Sequence, residues 1–450
     1  MPPLQDRRSW SEPSSVEAAI DDVEASSRVV SGPGELDDLV RYLGDSTFVL
    51  FGEASHGTSE FYRWRAELTA RLIAEYDFDF VAVEGDWTSC YAVNRYLKGL
   101  PGAADSAREV LESFDRWPTW MWANWEIDGF LEWLASYNRE PEGAEVGGHE
   151  VGFYGLDVYG LFESMHAVVD YLEEIDPDAA DMAREAYRCF EPYGEDAREY
   201  GRSTRMVPKS CESEVVDVLT ALRESAPTYE TEARDDYFAA EQNALVARNA
   251  EEYYRSLASG HQDSWNVRDT HMADTLDRLV EHHGGDAKAI VWAHNTHVGD
   301  ARATDMAERD RLNIGQLVRE RNPAADVDLV GFGTHRGSVI AGDEWGAEMK
   351  ELRVPEAKAG SYEDVFHRAG GENRLLYTDD VADGGGLAEP RGHRAIGVVY
   401  RPALESGNYV PTDLRERYDV YLHVDETQAL HPLDLHPDRT AVPDLYPTGL

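Results

Sequence analysis

The 450-residue sequence predicts an α/β protein, with a mostly parallel central sheet flanked by helices and a large helical insertion that forms a lid subdomain. Short apolar runs recur along the chain, and long stretches of helical spacing separate them. Strands buried on both faces have such runs, and helical connections make neighbouring strands parallel. Residues 160–285 interrupt this alternation because they are helical in pattern, acidic and poor in strand signals.

Five apolar runs form the core of the predicted sheet. They are residues 47–51, 80–84, 151–157, 289–293 and 327–332, with two further candidate strands at residues 395–400 and 418–424. The predicted organisation has three parts: a polar amino-terminal segment with one helix and a flexible start (residues 1–35), the α/β core that carries the site (residues 36–159 and 286–450), and the helical insertion or lid (residues 160–285).

The charge of the chain is strongly negative. Aspartate and glutamate total 87 residues against 42 lysines and arginines, so the formal net charge is −45. A field of this sign repels nucleic acids and anionic membranes, so we expect neither as a partner. The acidic residues are spread along the whole chain, which favours a solvated surface adapted to high salt. An acidic surface for a cationic partner is the alternative.

Cys90, Cys189 and Cys211 are scattered and form no CxxC motif or even-numbered framework, so the sequence does not require a disulfide. The amino-terminal residues lack the apolar core of a signal peptide, and no run approaches 18 apolar residues. We therefore expect a cytoplasmic protein that acts on a small molecule. The sequence leaves its oligomeric state open.

Polar side chains follow the predicted strands at the ends where open α/β sheets bind ligands. Six of them stand at this edge: Glu53 and His56 after the first strand, Glu84 and Asp157 at the ends of the second and third, and His294 and His297 after the fourth. A random acidic surface would not also place its histidines there. We therefore expect these side chains to share one cleft.

The turn with Glu53 and His56 gives the sharpest hypothesis. Glycines bound this turn, so the histidine can reach a ligand, and the carboxylate can fix its tautomer and raise its basicity. The alternative is that both residues cap the next helix. Glu84 closes an apolar run, so it must be paired or protonated, either in a site or beside an arginine such as Arg65.

His294 and His297 lie three residues apart, and with Glu53, His56 and Glu84 they could also ligate a divalent metal. No HExxH motif or cysteine ligand set accompanies them, so we expect no metal and no other cofactor. The sequence also lacks a GxSxG nucleophile elbow, a Walker loop and a Rossmann glycine fingerprint. The sequence therefore does not favour a serine nucleophile or nucleotide-dependent chemistry.

Tryptophans cluster within residues 117–125, where their spacing mixes helix faces. Such a cluster is more often part of a core than a binding wall. The alternative is substrate contact, for which Trp120 and Trp122, together with Asp157, are the candidate residues.

Seven segments stand out along the chain: FGEASHGT at 51–58, VEGDW at 83–87, PTWMW at 118–122, YGLD at 154–157, NVRD at 266–269, WAHNTHVGD at 292–300 and the segment 419–427. Together they resemble signatures of the erythromycin esterase family. The resemblance implies a hydrolase that opens a macrolide lactone ring without a metal, and hence a place in antibiotic resistance. The acidic surface and the helical insertion leave the substrate open.

The same resemblance implies catalytic roles for six residues: His56 as general base, Glu53 and Glu84 as its supporting acids, and Arg65, His294 and His297. Our hypothesis is direct attack by water, with Arg65 and His294 stabilising the oxyanion or clamping the substrate. Two alternatives remain. One is a metal-dependent hydrolase or peptidase that uses the same cluster. The other is a non-catalytic ligand-binding protein linked to polysaccharide metabolism.

The dispersed negative charge gives a test of adaptation to salt. Screening shortens the reach of charge repulsion to about 3 Å at 1 M salt. We therefore expect the purified protein to require molar salt for full activity, measured as initial rates across a series of KCl concentrations. Full activity in low-salt buffer would contradict such adaptation.

Overall fold

A nine-stranded sheet forms the centre of this computed structural model, which describes residues 13–139, 150–194, 196–204, 210–229, 234–259 and 263–433. In chain order the strands are β1 (Ser27–Val29), β2 (Phe48–Phe51), β3 (Phe80–Asp86), β4 (Gly152–Asp157), β5 (Ala289–Trp292), β6 (Val327–Ala341), β7 (Lys350–Val354), β8 (Arg374–Tyr377), β9 (Arg391–Arg394), β10 (Tyr409–Thr412) and β11 (Val420–Thr427). Strands β9 and β10 pair separately from the central sheet.

Helices connect the strands and cover the sheet. They are α1 (Pro13–Ser26), α2 (Asp37–Gly44), α3 (Ser59–Tyr76), α4 (Trp87–Leu97), α5 (Ala107–Glu112), α6 (Trp125–Arg139), α7 (Leu161–Ile175), α8 (Pro177–Tyr187), α9 (Ala197–Thr204), α10 (Glu212–Tyr229), α11 (Arg234–Ser259), α12 (Asp263–His282), α13 (Asn295–Val298), α14 (Ile314–Arg321), α15 (Tyr362–Arg368) and α16 (Leu414–Arg417). No helix in the described part of the chain is long and apolar enough to span a membrane.

The order of the central sheet is β1-β8-β11-β6-β2-β5-β3-β4, and β7 pairs with the end of β6. The neighbours from β11 to β4 are parallel, whereas β1, β8 and β7 are antiparallel additions. The predicted fold class is therefore confirmed. The chain returns from β4 to place β5 between β2 and β3, and such a change of direction opens a crevice beyond the carboxyl ends of the strands.

Alternate residues of each strand pack on opposite faces of the sheet. In β2, Val49 and Phe51 belong to a core that includes α3 and α6, whereas Phe48 and Leu50 belong to a core that includes α1, α12 and α15. Both faces are thus covered by helices. Burial on both sides explains why the parallel strands are apolar at successive positions and could be predicted from short runs.

The described residues between β4 and β5 are helical from α7 to α12, as predicted. Helices α7 to α11 share a hydrophobic core of their own, which includes Val168, Leu219 and Tyr253. Helix α12 packs in the core beneath the sheet through Met272, Leu276 and Leu279, and α11 contributes Phe238 to the same core. The last helix of the insertion is therefore also a layer of the α/β core.

Two late segments differ from the sequence prediction. Residues 395–400, predicted as a strand, form only isolated bridges such as the one between Ile396 and Ser55. The regular strand β9 precedes them, and its polar sequence RGHR gave no strand signal. The other late prediction, residues 418–424, corresponds to β11. Helix α1 is the helix predicted in the amino-terminal segment, whose first 12 residues lie outside the described residues.

Cys189 and Cys211 form a disulfide, although the sequence gave no reason to require one. Their Cα atoms are 5.8 Å apart across 22 residues of sequence. The approach depends on how the helices of the insertion pack, and cysteine spacing alone carries no sign of it. Cys90 is free and buried.

Two helical glycines give a matched test of packing at the edge of the site. A Cβ atom added to Gly315 in α14 would lie 1.8 Å from the carbonyl oxygen of Val298, whereas one added to Gly129 in α6 would meet no atom within 4 Å. We expect Gly315→Ala to lower the free energy of unfolding by about 1–3 kcal/mol. Gly129→Ala should raise it by up to about 1 kcal/mol because alanine is the better helix former. Urea titration measures both, and an unchanged stability of Gly315→Ala would contradict the close packing.

Candidate active site

The carboxyl ends of β2, β3 and β5 bring the predicted acidic and imidazole residues into one cleft. The backbone N–H of His294 donates a hydrogen bond to Glu84 Oε2 at 2.9 Å. The N–H of Asn295 donates to the carbonyl oxygen of Glu53 at 2.9 Å. The rings of His56 and His294 lie 4.8 Å apart between centroids. The three segments therefore meet, although up to about 240 residues of sequence separate them.

Glu53 joins a buried arginine to His56. Its Oε2 atom accepts a hydrogen bond from Arg65 Nη2 at 2.7 Å, and its Oε1 atom lies 2.8 Å from His56 Nδ1. A carboxylate only accepts hydrogen bonds, so the proton of the neutral His56 ring stands on Nδ1. The lone pair on Nε2 is then left for the cavity that His56 lines.

Arg65 lies behind Glu53 rather than at the cavity. Only 1% of its surface is exposed, and its guanidinium packs 4.5 Å from the ring centroid of Tyr62 and 5.2 Å from that of Trp292. It is not among the residues that line the cavity. The sequence hypothesis placed Arg65 at the oxyanion or the substrate, whereas this position suits a residue that holds Glu53.

Arg268, to which the sequence analysis assigned no role, forms a second cluster of charges. Its Nε and Nη2 atoms donate to the two oxygens of Asp157 at 2.9 and 2.6 Å. Nη2 also donates to Glu84 Oε1 at 2.7 Å. The guanidinium thus ties α12 to the ends of β3 and β4. Such two-pronged pairing is the geometry in which arginine binds carboxylates most strongly.

His297 is held in its charged form. Burial lowers its pKa, but Asp269 at 2.8 Å from Nδ1 and Glu84 at 3.3 Å from Nε2 outweigh burial and raise the pKa to about 9. Arg268 Nη1 lies 2.9 Å from the same Nε2. Because a guanidinium only donates hydrogen bonds, Arg268 Nη1–H points at this nitrogen and opposes its protonation, whereas the two carboxylates favour it.

Glu84 is correspondingly held as a carboxylate. Burial raises its pKa, but the charges of His297 and Arg268 outweigh burial and place the pKa well below its usual range. The same carboxylate also accepts the His294 N–H described above. Both oxygens of Glu84 therefore have partners: Oε1 contacts Arg268 and His297, and Oε2 accepts the backbone N–H of His294.

His294 is neutral and presents an N–H donor. Burial and the nearby His56 hold its pKa well below the usual range. The backbone N–H of Thr296 donates to His294 Nδ1 at 3.3 Å, so Nδ1 is an acceptor and the ring proton stands on Nε2. Within the described part of the chain, Nε2 has no hydrogen-bond partner. An unsatisfied donor thus belongs to a ring that lines the cavity.

The cavity has a volume of about 310 Å³ and a partly aromatic wall. The predicted substrate residues Asp157 and Trp122 line it, but Trp120 does not. Trp120 is 1% exposed and packs in the core beside α3 and α6. The two tryptophans are neighbours on a short turn, and their sequence context did not distinguish the buried ring from the lining ring.

Helix α12 supplies the site residues that the sequence analysis missed. Trp265 stacks on His297 with centroids 4.7 Å apart and planes at 5°, and Asp269 binds the other face of the cluster through His297 Nδ1. With Arg268, these residues occupy positions i, i+3 and i+4, which share one face of a helix. The sequence signal that could have identified these residues was their common face on a helix whose other face is apolar.

The cluster does not offer an open set of metal ligands. Among the described residues, no group of three or more His, Cys, Asp or Glu side chains is arranged to hold a metal ion. The guanidinium of Arg268 lies between Glu84 and Asp157, where it would repel a cation.

The model of the family described as Erythromycin esterase matches residues 73–427, more than half of the chain. The chain therefore belongs to the erythromycin esterase family, and membership indicates a hydrolase. The match begins after Glu53 and His56, which precede residue 73.

Two curated relatives from Escherichia coli carry the family name. Erythromycin esterase type II is 22% identical over 370 residues, which are 77% of this chain and 84% of the relative. Erythromycin esterase type I is 21% identical over 324 residues, which are 68% of this chain and 74% of the relative.

Three solved structures share the fold. A succinoglycan biosynthesis protein has a TM-score of 0.74 at 21% identity, covering 94% of this chain and all of that one. A Bacillus cereus protein has a TM-score of 0.76 at 17% identity, covering 93% and 99% of the two chains. A mutant erythromycin esterase in its open conformation has a TM-score of 0.63 at 20% identity, covering 88% and 94%.

Asp269 gives a test of how the charge on His297 is maintained. Removing the carboxylate in Asp269→Asn keeps the shape, so the pKa of His297 should fall from about 9 toward its usual value, as measured by NMR titration of the ring. Because the pKa of His297 is raised in the folded state, the charged ring stabilises the fold. This contribution is complete below about pH 6.5 and is lost as the pH rises through about 9. The stability gap between wild type and variant, up to about 3 kcal/mol, should therefore narrow over that range. A pKa that stays near 9 in the variant would contradict the role of Asp269.

Proposed function

We propose that this chain is a carboxylic ester hydrolase that cleaves an ester or lactone by attack of a water molecule, without a metal. The observation that carries the proposal is the chain of contacts from Arg65 through Glu53 to His56, whose ring lines the cavity. A neutral N–H donor on His294 lies beside it.

In the first step, His56 Nε2 takes a proton from water as the water oxygen attacks the carbonyl carbon. Glu53 then faces an imidazolium through its 2.8 Å contact with Nδ1 and stabilises the positive charge. Arg65 holds Glu53 in place through its 2.7 Å hydrogen bond. It is therefore a positioning residue in this mechanism rather than an oxyanion donor.

In the second step, the negative charge that forms on the carbonyl oxygen requires donors that are already oriented. His294 Nε2 is buried and has no hydrogen-bond partner among the described residues, and because the ring lines the cavity we assign its N–H as this donor. Glu84 fixes this ring through the backbone N–H of His294. The tetrahedral intermediate collapses when His56 returns its proton to the leaving alkoxide, which releases an acid and an alcohol.

The position of Arg268 supports metal-free chemistry. Its guanidinium lies between Glu84 and Asp157 and pairs with both, so these carboxylates are not available as ligands for a cation. The names of the curated relatives make erythromycin one substrate to assay. Macrolide resistance would follow from cleavage of such a lactone.

His56→Asn tests the proposed general base. The variant keeps a polar group of similar size but has no basic nitrogen, so kcat/KM should fall by about 10²–10⁴-fold. The measurement is ester hydrolysis, followed by acid release, with circular dichroism to check folding. His431→Asn, at an exposed histidine outside the cavity, is the control and should hydrolyse at the wild-type rate.

Normal turnover by folded His56→Asn would remove the general base from the mechanism. The same assay after treatment with a chelator tests the alternative of a metal-dependent hydrolase. Loss of activity that returns with added divalent metal would favour that alternative over the metal-free mechanism.

A further inference from the structure

The size of the cavity restricts what the closed site can hold. Its volume of about 310 Å³ lies at the lower limit for pockets that bind drug-sized molecules, which are roughly 300–1,000 Å³. A compact ester fills such a space. A macrolide ring that carries sugars is far larger than this cavity.

Charged side chains in the cavity wall are already balanced. Three carboxylates, Glu84, Asp86 and Asp157, line it together with three cations, Arg116, Arg268 and His297. Asp86 pairs with Arg116 at 2.7 Å, and Arg268 pairs with Glu84 and Asp157 at 2.7 and 2.6 Å. A charged group on a bound substrate would therefore lose its hydration without gaining a counter-charge.

The remaining wall is rich in flat apolar surface. Phe114, Trp117, Trp122, Tyr159 and Trp345 line the cavity. Two of these rings come from distant segments: Trp117 and Trp345 meet edge to face with centroids 4.6 Å apart. Trp117 Nε1 also donates to the carbonyl oxygen of Ala347 at 3.0 Å. This hydrogen bond joins the two segments that carry Trp117 and Trp345.

We propose that the preferred substrate is a compact, uncharged ester with an aromatic or similarly flat apolar group, and not a glycosylated macrolide. The proposal rests on the ester hydrolysis proposed above and names the substrate class of the same site. Aromatic rings bury large apolar areas against such walls and favour offset or edge-to-face contacts.

A matched ester panel tests the substrate class. The probes are phenyl butyrate, its 4-carboxy and 4-trimethylammonio derivatives, and erythromycin. Acid release in a pH-stat gives kcat/KM for the aryl esters, each divided by its rate of hydroxide-catalysed hydrolysis to remove differences in intrinsic reactivity. Mass spectrometry follows the opening of erythromycin. We expect phenyl butyrate to exceed both charged esters by roughly 100-fold, and erythromycin to remain intact.

The outcomes separate this proposal from the proposed function. Cleavage of erythromycin, or a charged ester that matches phenyl butyrate, would overturn the substrate class and leave ester hydrolysis standing. Folded protein that hydrolyses none of the four would overturn the proposed function itself.

Trp345→Ala tests whether the aromatic wall selects the substrate. Trp345 is partly exposed, so its loss leaves the core intact, but it removes the edge contact with Trp117. We expect kcat/KM for phenyl butyrate to fall roughly tenfold, mainly through KM. The matched control is Trp125→Ala, at a tryptophan that is 53% exposed and outside the cavity, and it should not change the rate. An unchanged KM in Trp345→Ala would overturn the role of the wall.

Discussion

The contact of Arg268 with Glu84 and Asp157 is the interaction on which the rest of the site depends. It joins a helix of the insertion to the ends of two strands, and all three side chains are buried. Burying a guanidinium and two carboxylates is costly unless every charge is paired with good geometry. The pairing therefore fixes α12 relative to the sheet, and with it the residues that bind His297.

Three histidines in this cleft differ in their chemistry because their neighbours differ. The ring of His297 lies between two carboxylates and carries a charge, whereas the ring of His294 has a backbone N–H at one nitrogen and is neutral. His56 has one carboxylate, held by Arg65, and its opposite nitrogen has no hydrogen-bond partner within the described residues. The surrounding side chains thus give one residue type three different hydrogen-bonding environments.

Much of the fold and part of the site could be predicted from the sequence. Strands β2 and β5 are buried on both faces and precede Glu53 and His294, and Glu84 lies near the end of β3, so chain position was enough to place these residues at one edge. Strand β9 is polar, and Arg268 and Asp269 lie on a helix whose orientation only tertiary packing determines. The disulfide and the difference between Trp120 and Trp122 likewise depend on packing that no local pattern records.

Helix α12 belongs both to the insertion and to the α/β core, so its sequence is more constrained than that of the other helices of the insertion. Its apolar face packs against the sheet and its polar face lies at the cleft. Substitutions on the first face alter the stability of the fold, and substitutions on the second alter the charges in the cleft. Helices α7 to α11 pack mainly on one another. None of the described residues that line the cavity comes from α7 to α11, so these outer helices can change in sequence without altering the wall of the cleft.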